Sequence, residues 1–598
     1  MNFLKTFLAS ILGTIIGLSL LFLIFFAILI STSTEPEPYV RDNTVLKIDL
    51  SGTIVTRTVD DPLMELFDMD RSTQVSLERL KNNLEKAAAD DRIKGVWLNV
   101  DRLAGNRANL ESAYEHLRNF KDESGKFVYA STNDLGMNEN AWYLASAADS
   151  IFAPPATYLE FNGFAVQASY FKNLLEKIGI EPEIMRVGTY KSAVEPFLRE
   201  DSSPEHREQT MAILDSAMET FLDAAQRKTG MDRSQIDQLM NEIPENSVEW
   251  AYENNLIDVI AHKNEVDKAI ANRIGLEEDE SPRTISLNRY NRVSASSAGL
   301  EEPATRDRIA VIYASGAIMP DIPVSPFSSG NIITARSVER NFDRALENDD
   351  VKAIVFHVNS GGGAMSTSEL IWNTIQEARK EKPVIAYMGN VAASGGYYIS
   401  MAADTIVASP NTITGSIGIF NQLFNMQELY NEKLGITFDT FKTHDHADLG
   451  MMTRPLTTTE REALQRSIES GYEFFIGRVG ESRGMTRDEV DTVAQGRVWT
   501  GLDAKDRNLV DMVGTLDRAV AIAAEKAEIE EYGIITLPER KDLFERLFGS
   551  ANAQMRTWVG SMLPYSTETL DEIHSLQELM RHPAAKNWAI LPYRYTIE

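Results

Sequence analysis

Short apolar runs rich in β-branched residues alternate along this chain with amphipathic stretches. VLKIDL and GVWLNV near its start, and IAVIYA and AIVFHV past its middle, read as buried parallel strands. Between them lie VSLERLKNNLEKAAADD and SVERNFDRALENDD, whose apolar positions predict helices. Strand–helix alternation of this kind indicates α/β units. Longer amphipathic helices are expected in EHREQTMAILDSAMETFLDAAQRKTG and EREALQRSIESGYEFFIGRVGESRG. One run differs in kind. From Phe7 to Ile30, FLASILGTIIGLSLLFLIFFAILI carries no charge in 24 residues. As a helix it would span roughly 36 Å, enough to cross a bilayer core. Lys5 precedes it, and the following STSTEPEPYV holds two glutamates and no base. The positive-inside rule then leaves the N-terminus in the cytoplasm and the body of the chain outside it. An uncleaved signal anchor is expected.

The pattern also repeats. TVLKIDLSGTIV (Thr44 to Val55) resembles RIAVIYASGAIM (Arg308 to Met319), and DRIKGVWLNVD (Asp91 to Asp101) resembles DVKAIVFHVNS (Asp350 to Ser360). AWYLASAADSIFAPP (Ala141 to Pro155) resembles GYYISMAADTIVASP (Gly396 to Pro410), and Phe161–Phe164 falls opposite Ser416–Ile419. The matches keep their order at offsets of roughly 255 to 264 positions. They indicate a duplicated domain of about 250 residues. The polar, Ser-rich stretch from Gly275 to Asp307 reads as the link between the copies.

At 598 residues the chain is too long for one core, consistent with two domains. Its net charge of −29 argues against nucleic acid as a partner, because phosphate would be repelled. The absence of cysteine excludes disulfides, thiolate catalysis and Cys-ligated zinc.

Candidate chemistry emerges where the copies differ. GNVAASGGYYISMAAD (Gly389 to Asp404) strips the bulk from around one hydroxyl, that of Ser394. Small neighbours suit a tight strand-to-helix turn with a serine cap, and they also suit a nucleophile that a substrate backbone must approach. The first copy has GMNENAWYLASAAD, with Glu139 opposite Ser394 and both glycines gone. A structural cap could persist in both copies, whereas a nucleophile is needed in only one. A second glycine cluster, Gly361–Gly363, follows a predicted strand in the same half. Its N–H groups could meet a developing oxyanion. No GK[ST] follows it, which speaks against a phosphate loop.

A serine nucleophile needs a base. His357, His444 and His446 are candidates, and the THDHADLG loop could also offer metal ligands. The other candidate type is a lysine made neutral by burial. Lys191 stands out in MRVGTYKSAVEPF, after a strand-like segment and before small residues; composition alone does not choose it over Lys352 or Lys442.

At this point the residues resemble a family. AASGGYYIS and GTYKSAVEPF, in opposite halves behind one N-terminal anchor, are similar to the nucleophile and base motifs of the signal peptide peptidase A family. The likeness is to its long, duplicated form. These are membrane-anchored serine proteases of the bacterial envelope. The family's glycine turn is Ser-Pro-Gly-Gly; here it is Ser360-Gly361-Gly362-Gly363. The resemblance implies an α/β fold class, two tandem ClpP/crotonase-like domains after one N-terminal transmembrane helix. The expected division is an anchor and spacer (1–43), a first repeat with the base (44–274) and a linker (275–307). A second repeat with the nucleophile (308–540) and a C-terminal helical extension (541–598) follow. The resemblance further implies a Ser394/Lys191 dyad, an oxyanion hole from the N–H groups of Gly362 and Gly395, and Ser416 orienting the lysine. Neither metal nor other cofactor is expected. The implied partners are peptide substrates, namely released signal peptides, the inner membrane, and three further copies in a homo-tetramer. The catalytic body would be periplasmic. Two rival readings are a non-catalytic envelope scaffold and a crotonase-type acyl-thioester enzyme.

Overall fold

The computed structural model describes residues 37–57 and 74–539, apart from 134, 243–244, 278–279, 302 and 322–331. It also describes residues 7, 13, 14 and 17 and the strand Trp588–Ile590. The apolar run from Phe7 to Ile30 therefore lies largely outside the described residues, as does the C-terminal extension. Among the described residues no helix is long and apolar enough to cross a membrane.

Each repeat is built on its own parallel sheet. In the first, Thr44–Val55, Ile93–Ala104, Phe127–Ser131, Ser150–Ala153 and Val259–Ile260 lie side by side in that order. In the second, Arg308–Ser315, Val351–Ser360, Val384–Ala393 and Thr405–Ala408 pair in parallel, and Ile413–Gly415 joins Val384–Ala393. The runs read as strands from sequence are these strands. Their side chains are fully buried: Leu46, Ile48, Val96 and Leu98 in one sheet, Ile312, Ile354 and Phe356 in the other. Burial on both faces is why they lack a polar alternation, since crossover helices cover parallel sheets on both sides.

The two long helices match as well. Pro204–Thr229 and Thr458–Arg483 start at Ser203 and Thr457, whose side chains accept an N–H of the first turn, and end at left-handed Gly230 and Gly484. The link between repeats holds more structure than a polar spacer. Arg283–Ser286 adds a parallel strand to Thr44–Lys47, and Leu287 and Tyr290 bury themselves in the first repeat.

A third, mixed sheet crosses from one repeat to the other. Glu181–Val187 of the first repeat pairs antiparallel with Ile419–Asn425 of the second over seven residue pairs. Gly362–Ala364 belongs to the same sheet, with Trp588–Ile590 antiparallel beside it. Trp588–Ile590 also pairs with Phe420, so it lies between Gly362–Ala364 and Ile419–Asn425. The part of the C-terminal extension that is described is thus a strand.

Where the second repeat has Ser394 and Ser416, the first has a packed interior. Phe161, opposite Ser416, is fully buried against Trp142 and Phe221, with ring centroids 5.0 and 5.4 Å away. Glu139, opposite Ser394, turns inward and accepts the Asn162 N–H at 2.7 Å. Phe221→Ala should therefore empty a packed aromatic plug and cost about 3–5 kcal/mol. The check is a denaturant titration, in which the unfolding midpoint falls against wild type.

Candidate active site

The strand register assembles the site. Val384–Ala393 and Ile413–Gly415 run parallel with Ala393 opposite Gly415. The next residue of each strand is a serine, so Ser394 and Ser416 emerge side by side at the carboxyl ends of the sheet. The Ser394 N–H donates to the Gly415 carbonyl at 2.8 Å. Ser394 has φ +57° and ψ −115°, a backbone state that L-residues adopt only when their surroundings enforce it. Ser416 also has positive φ, at +49°.

The antiparallel pair of Val187 with Ile419 brings the turn after Glu181–Val187 to the same place. Gly188 begins that turn and Lys191 ends it. Gly496 passes directly against it: a Cβ there would lie 2.6 Å from Lys191 Cβ, and its φ is +77°. Only glycine fits so close. The Lys191 side chain then runs into the seam between the repeats and is fully buried. Its Nζ lies 3.0 Å from Ser394 Oγ, 3.0 Å from Ser416 Oγ and 3.0 Å from the Ser416 carbonyl oxygen.

Burial alone pushes the Lys191 ammonium down from an ordinary 10.5 to about 7, with no counter-charge to hold the proton. The three contacts fit the neutral form. A neutral amine offers two N–H donors and one lone pair. The donors serve the carbonyl and hydroxyl oxygens of Ser416, and the lone pair faces the Ser394 O–H. Ser416 thus offers the amine two acceptors.

The glycine turn lies alongside. A Cβ on Gly395 would meet Gly362 Cα at 3.1 Å and Gly363 N at 3.1 Å. Gly395 is the first residue of helix Gly395–Ser400, so its N–H has no partner within that helix. The Gly362 N–H donates to Ser360 Oγ at 3.1 Å, and that hydroxyl donates to the Gly316 carbonyl at 2.6 Å. An oxyanion would have to share or take over the Gly362 N–H from Ser360. Gly363 is obligatory for a different reason: a Cβ there would strike the Ile318 carbonyl oxygen at 1.9 Å.

The other bases are held elsewhere. His357 is buried between the rings of Tyr313 and Tyr387, at 4.9 and 5.1 Å, and burial pushes it down to about 4. His446 Nδ1 lies 3.0 Å from Glu460, and His444 bonds Thr443. Lys442 bonds Asp448 and Lys352 bonds the Asp349 carbonyl, both at the surface. Among the described residues no group of three or more potential metal ligands gathers. The sequence reading passed over a polar set behind Lys191: Ser192, His206 and Gln209, all buried. The signal was present, since His206, Gln209, Ile213 and Ala217 recur at helical spacing on one buried stripe.

The chain that carries this geometry has relatives. The profile of peptidase family S49 matches residues 121–277 and 376–530, once in each repeat, and that of Clp protease matches 337–414. The chain belongs to peptidase family S49. It is 37% identical over 490 residues to the chloroplastic serine protease SPPA of Arabidopsis thaliana, spanning 82% of this chain and 71% of that one. It is 35% identical over 541 residues to Protease 4 of Salmonella typhi, spanning 87% and 85%. Protease 4 of Haemophilus influenzae is 32% identical over 469 residues, spanning 77% and 74%. The chain is thus a serine protease of family S49 in the long, two-repeat form, with ClpP-like α/β domains.

Two outcomes are expected of Lys191. The rate constant kcat/KM should rise through pH 7, as the amine loses its proton, and level off above it. Lys191→Met should remove activity yet stabilise the fold. Below pH 7 the folded state must hold a buried charge, a cost on the order of 5 kcal/mol that fades as pH rises towards the ordinary lysine value. Melting temperatures of the two proteins from pH 6 to pH 10 should therefore converge.

Proposed function

We propose that this S49 peptidase cleaves peptides through a Ser394/Lys191 dyad formed across the seam between its repeats. The observation that carries the reading is the 3.0 Å contact between Lys191 Nζ and Ser394 Oγ, fully buried and free of counter-charge. Neutral Lys191 takes the Ser394 proton as Oγ attacks the peptide carbonyl. The N–H groups of Gly395 and Gly362 receive the oxyanion. The protonated lysine then delivers its proton to the leaving amine, and water releases the acyl group by the reverse sequence. Ser416 keeps the amine aimed throughout.

An extended peptide is the natural substrate shape. Trp588–Ile590 already lies antiparallel to Gly362–Ala364 and meets Phe420 on its other side, which is how a peptide strand would enter the third sheet. Released signal peptides suit this slot because they are apolar, carry extended segments and are left in the membrane. The uncharged Phe7–Ile30 run supports a single-pass anchor in the bacterial inner membrane, with the body on the periplasmic side.

The fold also supports a ring of copies, read as a homo-tetramer. Helix Arg107–Ser124 is buried along its whole first half because it packs on the second repeat, where the Asn109 N–H donates to Asn390 at 3.0 Å. Its counterpart Met365–Ala378 buries one face only and leaves Leu370 60% exposed. Segments 164–170 and 437–443 correspond to the two strands that join the repeats, yet neither belongs to a sheet among the described residues. Repeating the internal contact between copies would use both, and a head-to-tail contact of this kind can close into a ring.

Ser394→Ala is expected to abolish peptide hydrolysis and labelling by a fluorophosphonate while leaving the melting temperature within a few degrees of wild type. An active or labelled variant would remove the dyad. Absence of labelling in the wild type would favour a scaffold, and turnover of a coenzyme A thioester but not of peptides would favour acyl-thioester chemistry. For the ring, Phe441→Glu, at a side chain 89% exposed, should yield a smaller species by light scattering.

A further inference from the structure

Behind Lys191 sits an amide that touches both halves of the seam. Gln209 is fully buried on helix Pro204–Thr229. Its Nε2 donates to Ser192 Oγ at 2.6 Å and to the Tyr190 carbonyl at 3.3 Å, the residues on either side of Lys191. Its Oε1 accepts the Val498 N–H at 3.2 Å. The amide orientation follows from its partners, because a carbonyl only accepts and a backbone N–H only donates. Val498 belongs to the second repeat and pairs with Gly415, directly before Ser416 and hydrogen-bonded to the Ser394 N–H. One side chain therefore connects the turn that holds the amine to the strand edge that holds both serines.

The duplicate offers a control. Matched caps at Ser203 and Thr457, and at Gly230 and Gly484, place Ala463 opposite Gln209. Ala463 is exposed and has no amide. The amide occurs only in the copy that carries Lys191, as Ser394 and Ser416 occur only in the other.

We infer that Gln209 is a positioning residue for the peptidase: it sets the distance between Lys191 and the serine pair by bonding the first repeat's turn to the second repeat's strand edge. The inference rests on the Ser394/Lys191 reading. It acts through Lys191 and touches no substrate. The titratable and charged groups around the turn are His206, 3.1 Å from Ser192 Oγ, Glu195, which holds Ser203, and Arg186, bonded to the Lys191 carbonyl. Glu208 and Arg497 meet over Tyr190.

The test is the rate at which a fluorophosphonate labels Ser394 in the full-length protein, followed from pH 5.5 to 9. Gln209→Met keeps the volume and removes the bonds to Ser192, Tyr190 and Val498. It should slow labelling and kcat by about 100-fold with KM little changed, the cost of misplacing a reacting group. Its labelling midpoint should move to higher pH, because a loosened turn admits water that stabilises the ammonium. Ser192→Ala removes the shortest of these bonds, together with the Ser192–His206 contact, and serves if Gln209→Met fails to fold; it should shift both readings in the same direction by less. Combining the two should add little to Gln209→Met alone. Wild-type rate and midpoint in a folded Gln209→Met, or in Ser192→Ala should that variant alone fold, overturn the role of Gln209 and leave the dyad standing. Failure of the wild type to label at Ser394 overturns both.

Discussion

The interaction on which this molecule depends is a lysine amine held without water and without an opposing carboxylate. In water an ammonium is hydrated and no use as a base at neutral pH. Buried at the seam, with no charge to compensate it, Lys191 is driven toward its neutral form at about 7. That burial is destabilising by itself, so the surrounding structure has to enforce it. Gly496 pressed against the lysine backbone, the antiparallel pairing of Val187 with Ile419 and the double acceptor at Ser416 are the means.

The proposed site lies on the seam, so each repeat carries only part of it. One repeat keeps the strand edge, where Ser394 and Ser416 are neighbours by register; the other keeps the turn that presents the amine. Each vacant position was then filled according to local needs. In the first repeat Phe161 stands opposite Ser416 and packs into the hydrophobic core against Trp142. Burying such rings stabilises the first repeat, while the second repeat holds Ser394 at φ +57°.

The same seam is crossed by the third sheet. The third sheet contains the strand before Lys191, the strand after Ser416 and the Gly362–Ala364 edge of the glycine turn. Under the proposed mechanism, a peptide that adds to this sheet lies along Lys191, Ser394 and the glycine turn. The chain's own Trp588–Ile590 strand follows that line.

Much was legible in the residues alone. Buried parallel strands announce themselves as continuous β-branched runs, a duplication as ordered matches, and Ser394 as a hydroxyl cleared of bulk in only one copy. These signals are local, and the sequence by itself determined the fold class, the repeat and the two motifs that place the chain in its family. It could not rank Lys191 above Lys352 or Lys442, nor dismiss His357, because a base is defined by distance and desolvation, and both depend on residues some two hundred positions apart. Tertiary structure alone decided that Ser416 meets the amine twice, that the Gly362 N–H already serves Ser360, and that the buried amide of Gln209 reaches both repeats. The physical reason is that a pKa and a hydrogen bond belong to an environment, and here that environment exists only once the two halves close on each other.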